Sequence, residues 1–234
     1  MKNPERLLKS KEYPKDTMIN TKDQEDMFKL IASYLERDIE VYAIGGTAMM
    51  FFGYKTTTKD IDLVFDSKKD MGEFVRVLNE LGYSEKSMKG IYDKKRRDFK
   101  SKPKMFSRGE ERFDLFLKSV FGFEFTERLK ENIKQRRDFI DKKELIINIL
   151  PKEYTILLKL VTNREKDFED IKDIIEKDKD IDWDVLVKEA IEQRKNNGWI
   201  LLDLEEKMKD LKKITLIKSK YFEKIYRAED EYHK

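Results

Sequence analysis

Two aspartates with one residue between them, Asp60 and Asp62, carry the first chemistry legible in this 234-residue chain. They stand in Asp-Ile-Asp-Leu-Val-Phe, whose alternation and apolar end predict a strand over 60–65. Period-two geometry puts both carboxylates on one face and sends Ile61 and Leu63 into the core. Their Cα atoms then lie roughly 6.6 Å apart, so their oxygens can converge on one or two cations. Carboxylates that close repel each other unless a cation neutralises them. Asp114, in Arg-Phe-Asp-Leu-Phe, completes a two-metal clamp if its strand neighbours the first. Such a clamp, holding Mg²⁺ or Mn²⁺, activates an attacking hydroxyl and binds a triphosphate without any histidine. The ordinary readings are a solvated strand end for Asp60 and Asp62, and an ion pair with Arg112 or Arg108 for Asp114. Asp66 shares the strand parity but lies about 20 Å from Asp60, too far to share a cation.

Other chemistries are excluded. The chain has no cysteine, which removes disulfides, thiolate metal sites and cysteine nucleophiles. Its only histidine is the penultimate residue, His233, so a histidine relay or imidazole metal site is not expected. Reaction must come from carboxylates, hydroxyls, amines and borrowed metals.

The elements that position these groups follow from the patterning. Ile39 to Ile44 reads as a buried strand running into Gly45-Gly46-Thr47, where a helix turn begins. Glycines there let backbone approach a phosphate, and free N–H groups at a helix start favour an anion. Upstream, Thr21 and Gln24 form a capping-box pattern that opens a helix over about 22–37. Downstream, an apolar stripe predicts a helix from Lys68 to Leu81, closed by Gly82. A strand pair with a loop is expected between 84 and 108, then strands at 112–120 and 144–150. From Pro151 the pattern turns helical, with helices at about 151–162, 166–177, 183–196 and 200–230. Trp183 and Trp199 read as core residues of that part, as do Ile200, Leu204, Met208, Leu211 and Leu216. The expected organisation is an α/β (α+β) domain over 1–150, a small mixed sheet flanked by helices with an N-terminal arm. A helical domain follows over 151–234.

Charge is unevenly spread. Lys86 to Arg108 holds ten Lys/Arg against two Asp, and Arg128 to Arg137 five against one Glu, whereas Glu165 to Glu192 holds twelve acidic residues against five basic. With Tyr92, Phe99 and Phe106 interleaved, the first basic segment suits an RNA or DNA strand, bases stacking beside phosphate contacts. Its ordinary reading is an exposed loop in a chain that is 42% charged. No apolar run is long enough to span a bilayer and the N-terminus lacks a signal-peptide centre, so the cytoplasm is the expected location and no membrane partner is expected.

An apolar residue before Gly45-Gly46, thirteen further residues, then Asp60-Ile-Asp62-Leu resembles the signature of the DNA polymerase β-like nucleotidyltransferase superfamily. The longer stretch GGTAMMFFGYKTTTKDIDLVF resembles the AbiEii-type toxins of abortive-infection systems and their stand-alone relatives. The resemblance covers roughly 40–66, 112–117 and 154–174. It implies the nucleotidyltransferase fold, glycines that hold the triphosphate, and metal-binding roles for Asp60, Asp62 and Asp114. Thr58 matches the threonine those families carry before the aspartates; Thr56 stands where an arginine is expected, with Lys55 beside it. LLKLVTNREKDFEDI matches a further family segment and implies nucleotide-site roles for Lys159, Arg164 and Asp167.

The expected function is transfer of a nucleotide from an NTP to an acceptor, which in the toxin-type relatives can be the 3′ end of tRNA. A cognate antitoxin is a partner implied by the resemblance alone. Transfer to a small molecule or to a protein hydroxyl is the alternative within the enzyme class. A non-catalytic RNA-binding module on the same fold is the alternative outside it.

Overall fold

Side-chain alternation along the strands decides the architecture. The computed structural model describes residues 18–86, 101–162 and 165–232. The chain runs β1 (Ile19–Asn20), α1 (Thr21–Tyr34), β2 (Ile39–Ala43), α2 (Gly45–Phe51), β3 (Thr57–Thr58), β4 (Asp60–Phe65) and α3 (Lys68–Glu80). It continues through β5 (Ser84–Lys86), β6 (Lys104–Arg108), β7 (Glu111–Leu117), β8 (Ser119–Val120), β9 (Phe123–Glu124), α4 (Glu127–Glu131), β10 (Gln135–Ile140) and β11 (Glu144–Ile149). The remainder is helical: α5 (Lys152–Thr162), α6 (Glu165–Lys177), α7 (Trp183–Gln193), α8 (Ile200–Leu211) and α9 (Ser219–Tyr232). The fold is mixed α/β, and among the described residues no helix is long and apolar enough to cross a membrane.

Seven strands form one mixed sheet in the order β10-β11-β2-β4-β7-β6-β5. The β4–β7 and β11–β2 pairs are parallel and the others antiparallel. Val41, Ile61, Leu63, Phe113, Leu115 and Ile147 point to one face, where α1 and α3 close a core around Phe28, Ile31 and Phe74. The alternate residues Tyr42, Val64 and Phe116 point to the other face and share a core with the helices after Pro151. Apolar α5 is the hub of that layer and packs on α2, α6, α7 and α8. One continuous apolar cluster therefore spans residue 151, joining sheet and helices across a cleft.

Several details differ from the sequence reading. The cap of α1 lies one residue earlier: Asn20 Oδ1 accepts the Asp23 N–H at 3.0 Å and Asp23 accepts the Asn20 N–H at 3.4 Å. Gln24 is buried instead of capping. The helix expected over 200–230 is two helices, and the 212–218 connection between them leaves Leu216 exposed. Trp183 is buried as expected, but Trp199, the N-cap of α8, is 70% exposed because it lies off that helix's apolar stripe. Phe106 is not available to stack on a base: its strand parity turns it into the α1/α3 core. Tyr92, Phe99 and most of the basic segment lie outside the described residues.

Candidate metal and phosphate site

The parallel β4–β7 pair brings the acidic residues together. Its register sets Asp62 beside Asp114 and Asp60 beside Arg112, so all four side chains share the face opposite α1 and α3. One carboxylate oxygen from each of Asp60, Asp62 and Asp114 lies within 4.8 Å of the others. Asp114 is 1% exposed, while Asp60 and Asp62 are half-buried at the open side of the cleft. Arg112 ties the group together: its Nη2 donates to Asp60 Oδ2 and lies 3.3 Å from Asp114 Oδ2, and its Nε is 3.1 Å from Asp114 Oδ1.

The β2–α2 turn is built against this trio. Gly45 has φ +54°, the left-handed region that disfavours any side chain, and a Cβ there would sit 2.7 Å from Asp62 Oδ2. A Cβ on Gly46 would meet Thr58 Oγ1 at 2.5 Å. The two glycines thus let the turn nest directly onto the acidic strand and its threonine. Thr47 is fully buried, and its hydroxyl accepts the Asp62 N–H at 2.9 Å, so it anchors the aspartate strand from beneath. Thr58 lies 3.5 Å, Oγ1 to Oδ1, from Asp60.

Across the cleft, α5 and α6 present a second ionic cluster. Lys159, 6% exposed, pairs with Asp170 and lies 3.4 Å from Asp167. Lys55, from the turn after α2, reaches over to Asp170 at 2.8 Å. Burial pushes the Asp170 carboxyl up, but the Lys159 ammonium and then Lys55 outweigh it and hold its pKa below the usual carboxylate value. Lys166 also lines the cleft. Arg164 lies outside the described residues.

The cleft therefore has three kinds of wall: Asp60, Asp62 and Asp114 with the glycine turn; Lys55, Lys159, Lys166, Asp167 and Asp170; and an apolar end of Phe116, Val120, Phe121 and Leu158. The apolar wall has no motif of its own in the sequence. Its signal was Phe121-Gly122, a two-residue turn joining β8 and β9 with φ +51° and +89°, the geometry of a tight hairpin that turns Phe121 onto Phe116. The partnership of Lys55 with Asp170 has no motif either, since nothing local to either residue announces it. No family model matches the chain, and no curated protein matches it at a significant level of similarity.

Proposed function

We propose that the chain is a metal-dependent nucleotidyltransferase of the DNA polymerase β-like fold, moving a nucleotide from an NTP to an acceptor hydroxyl at the 3′ end of an RNA such as tRNA. The observation that carries the reading is the convergence of Asp60, Asp62 and Asp114 in one cleft with a lysine-bearing wall. The trio suits a hard divalent cation: its donors are all carboxylate oxygens. A cation of the chain's own, the Arg112 guanidinium, already lies against two of the three. Asp60, Asp62 and Asp114 would hold Mg²⁺ or Mn²⁺, which supplies Lewis acidity and charge neutralisation at the polyphosphate.

The chain's own residues do the rest. Thr47 and Arg112 fix the strand and the carboxylates, so the acidic floor is formed before substrate arrives. The wall facing that floor holds Lys55, Lys159 and Lys166 against Asp167 and Asp170, which leaves it one positive charge in excess for a polyphosphate. Phe116 and Phe121 offer a water-poor surface for the apolar faces of a nucleoside.

The test is incubation with each α-³²P-labelled NTP, Mg²⁺ and total RNA, beside an Asp60→Ala/Asp62→Ala control. Label on tRNA-sized RNA only with the intact trio supports the proposal and names the base. Label on a protein band or small molecule redirects the acceptor. Absence of both label and NTP binding leaves a non-catalytic module as the better account.

A further inference from the structure

Arg112 stands where an incoming cation would have to compete. Residues 112 and 114 project from the same face of β7, and the β4 register sets Arg112 directly beside Asp60. The guanidinium bonds Asp60 Oδ2 and approaches both oxygens of Asp114, at 3.1 Å to Oδ1 and 3.3 Å to Oδ2. Two of the three candidate ligands are therefore already engaged by a positive charge. Mg²⁺ requires carboxylate oxygens at about 2.0–2.1 Å in near-octahedral order, and a guanidinium held on the same carboxylates sets a like charge beside that cation. The planar fork of arginine makes it a strong rival, since it grips carboxylates through several donors at once. Its side chain is 27% exposed, so it is not locked in place by burial.

We propose that Arg112 is a built-in competitor for the divalent cation. In the metal-free state it neutralises part of the trio and keeps Asp60 and Asp114 converged; loading requires it to let go. The inference rests on the metal reading of the trio and names how that site is regulated. Arg112 is a positioning residue in this account, acting through the two carboxylates.

The experiment is a titration with Mn²⁺ alone, followed by the EPR signal of the free ion, on the full chain and on Arg112→Gln, Arg112→Lys and Asp62→Asn. Arg112→Gln is expected to bind Mn²⁺ about tenfold more tightly than the parent, because a neighbouring unit positive charge is gone. Arg112→Lys keeps that charge and is expected to bind as weakly as the parent, which also guards against a general effect of substitution. Binding in Arg112→Gln equal to or weaker than the parent would overturn the proposal and make Arg112 a support of the ligands. No Asp62-dependent Mn²⁺ binding in any form would overturn the metal reading itself, a different failure with a different signature.

Discussion

Two ionic clusters face each other across the cleft, and they are built in opposite ways. On the sheet side three carboxylates meet one guanidinium, leaving two negative charges within this group at a half-open surface. On the helix side Lys55 and Lys159 meet Asp167 and Asp170, so that group balances to zero, and three of its four members are buried. A surplus of like charge in a fold costs stability and is retained where an outside partner will neutralise it. A balanced buried set is costly to break, since removing one member strands the others away from water. In the proposed function the first cluster carries binding and reaction; the second ties α5 to α6 through Lys159, Asp167 and Asp170.

That contrast is broken most directly by two substitutions. Asp62→Asn keeps size and shape, and nucleotide transfer is expected to fall about a thousandfold, several kcal/mol of charge stabilisation at the reacting phosphate. Its melting temperature in the absence of metal is expected to stay level or rise, because a repulsive charge is gone. Lys159→Met should do the reverse in the folding measurement. With Asp167 and Asp170 left buried and the Lys159 ammonium gone, unfolding by urea is expected to show a loss of about 3 kcal/mol, the low end for breaking a buried pair. If Asp62→Asn destabilises and Lys159→Met does not, the division between the clusters is wrong.

The two clusters were also unequally legible in the sequence. Asp60 and Asp62 could be read from strand alternation alone, and the glycine turn from Gly45-Gly46 beside an apolar run. Their convergence with Asp114 could not, because register between β4 and β7 is a long-range property set by the packed core. Lys159 and Asp167 were singled out only by resemblance; their contact joins two helices, and helical spacing says nothing across a helix junction. β10 escaped because Gln-Arg-Arg-Asp-Phe-Ile is an edge strand that buries only Phe139, so no alternation marks it. Trp199 failed for the opposite reason: an apolar residue defaults to the core, and only the start point of α8 puts this one outside.

Gly45 sharpens the comparison at the sheet side. Gly45→Ala forces a side chain into the left-handed region, worth about 1–2 kcal/mol of stability. Its methyl also meets Asp62 Oδ2, the movable end of a side chain, so the carboxylate is expected to turn away. The prediction is a modest fall in melting temperature with a loss of Mn²⁺ affinity that exceeds it. Equal affinity in the two proteins would mean Asp62 can be turned without cost and is not a ligand.

The smallest effect separates the clusters by pH. Asp170 is held below the usual carboxylate pKa, its lysines outweighing its burial, so the folded state favours its ionised form. Its contribution is then complete above about pH 4, the ordinary carboxylate range, and is lost as pH falls through the folded value. Asp170→Asn is expected to be less stable than the parent by about 1.5 kcal/mol at pH 7, the low end for a hydrogen bond to a charged group. The gap should begin to close as the pH falls below about 4, where the unfolded chain's carboxylate becomes neutral, and close fully only below the folded value. Urea midpoints of both proteins at about pH 7, 4 and 2.5 test this. A gap that stays constant would mean that Asp170 stabilises α5 and α6 by shape, not by charge, and that the balance of the helix-side cluster is incidental.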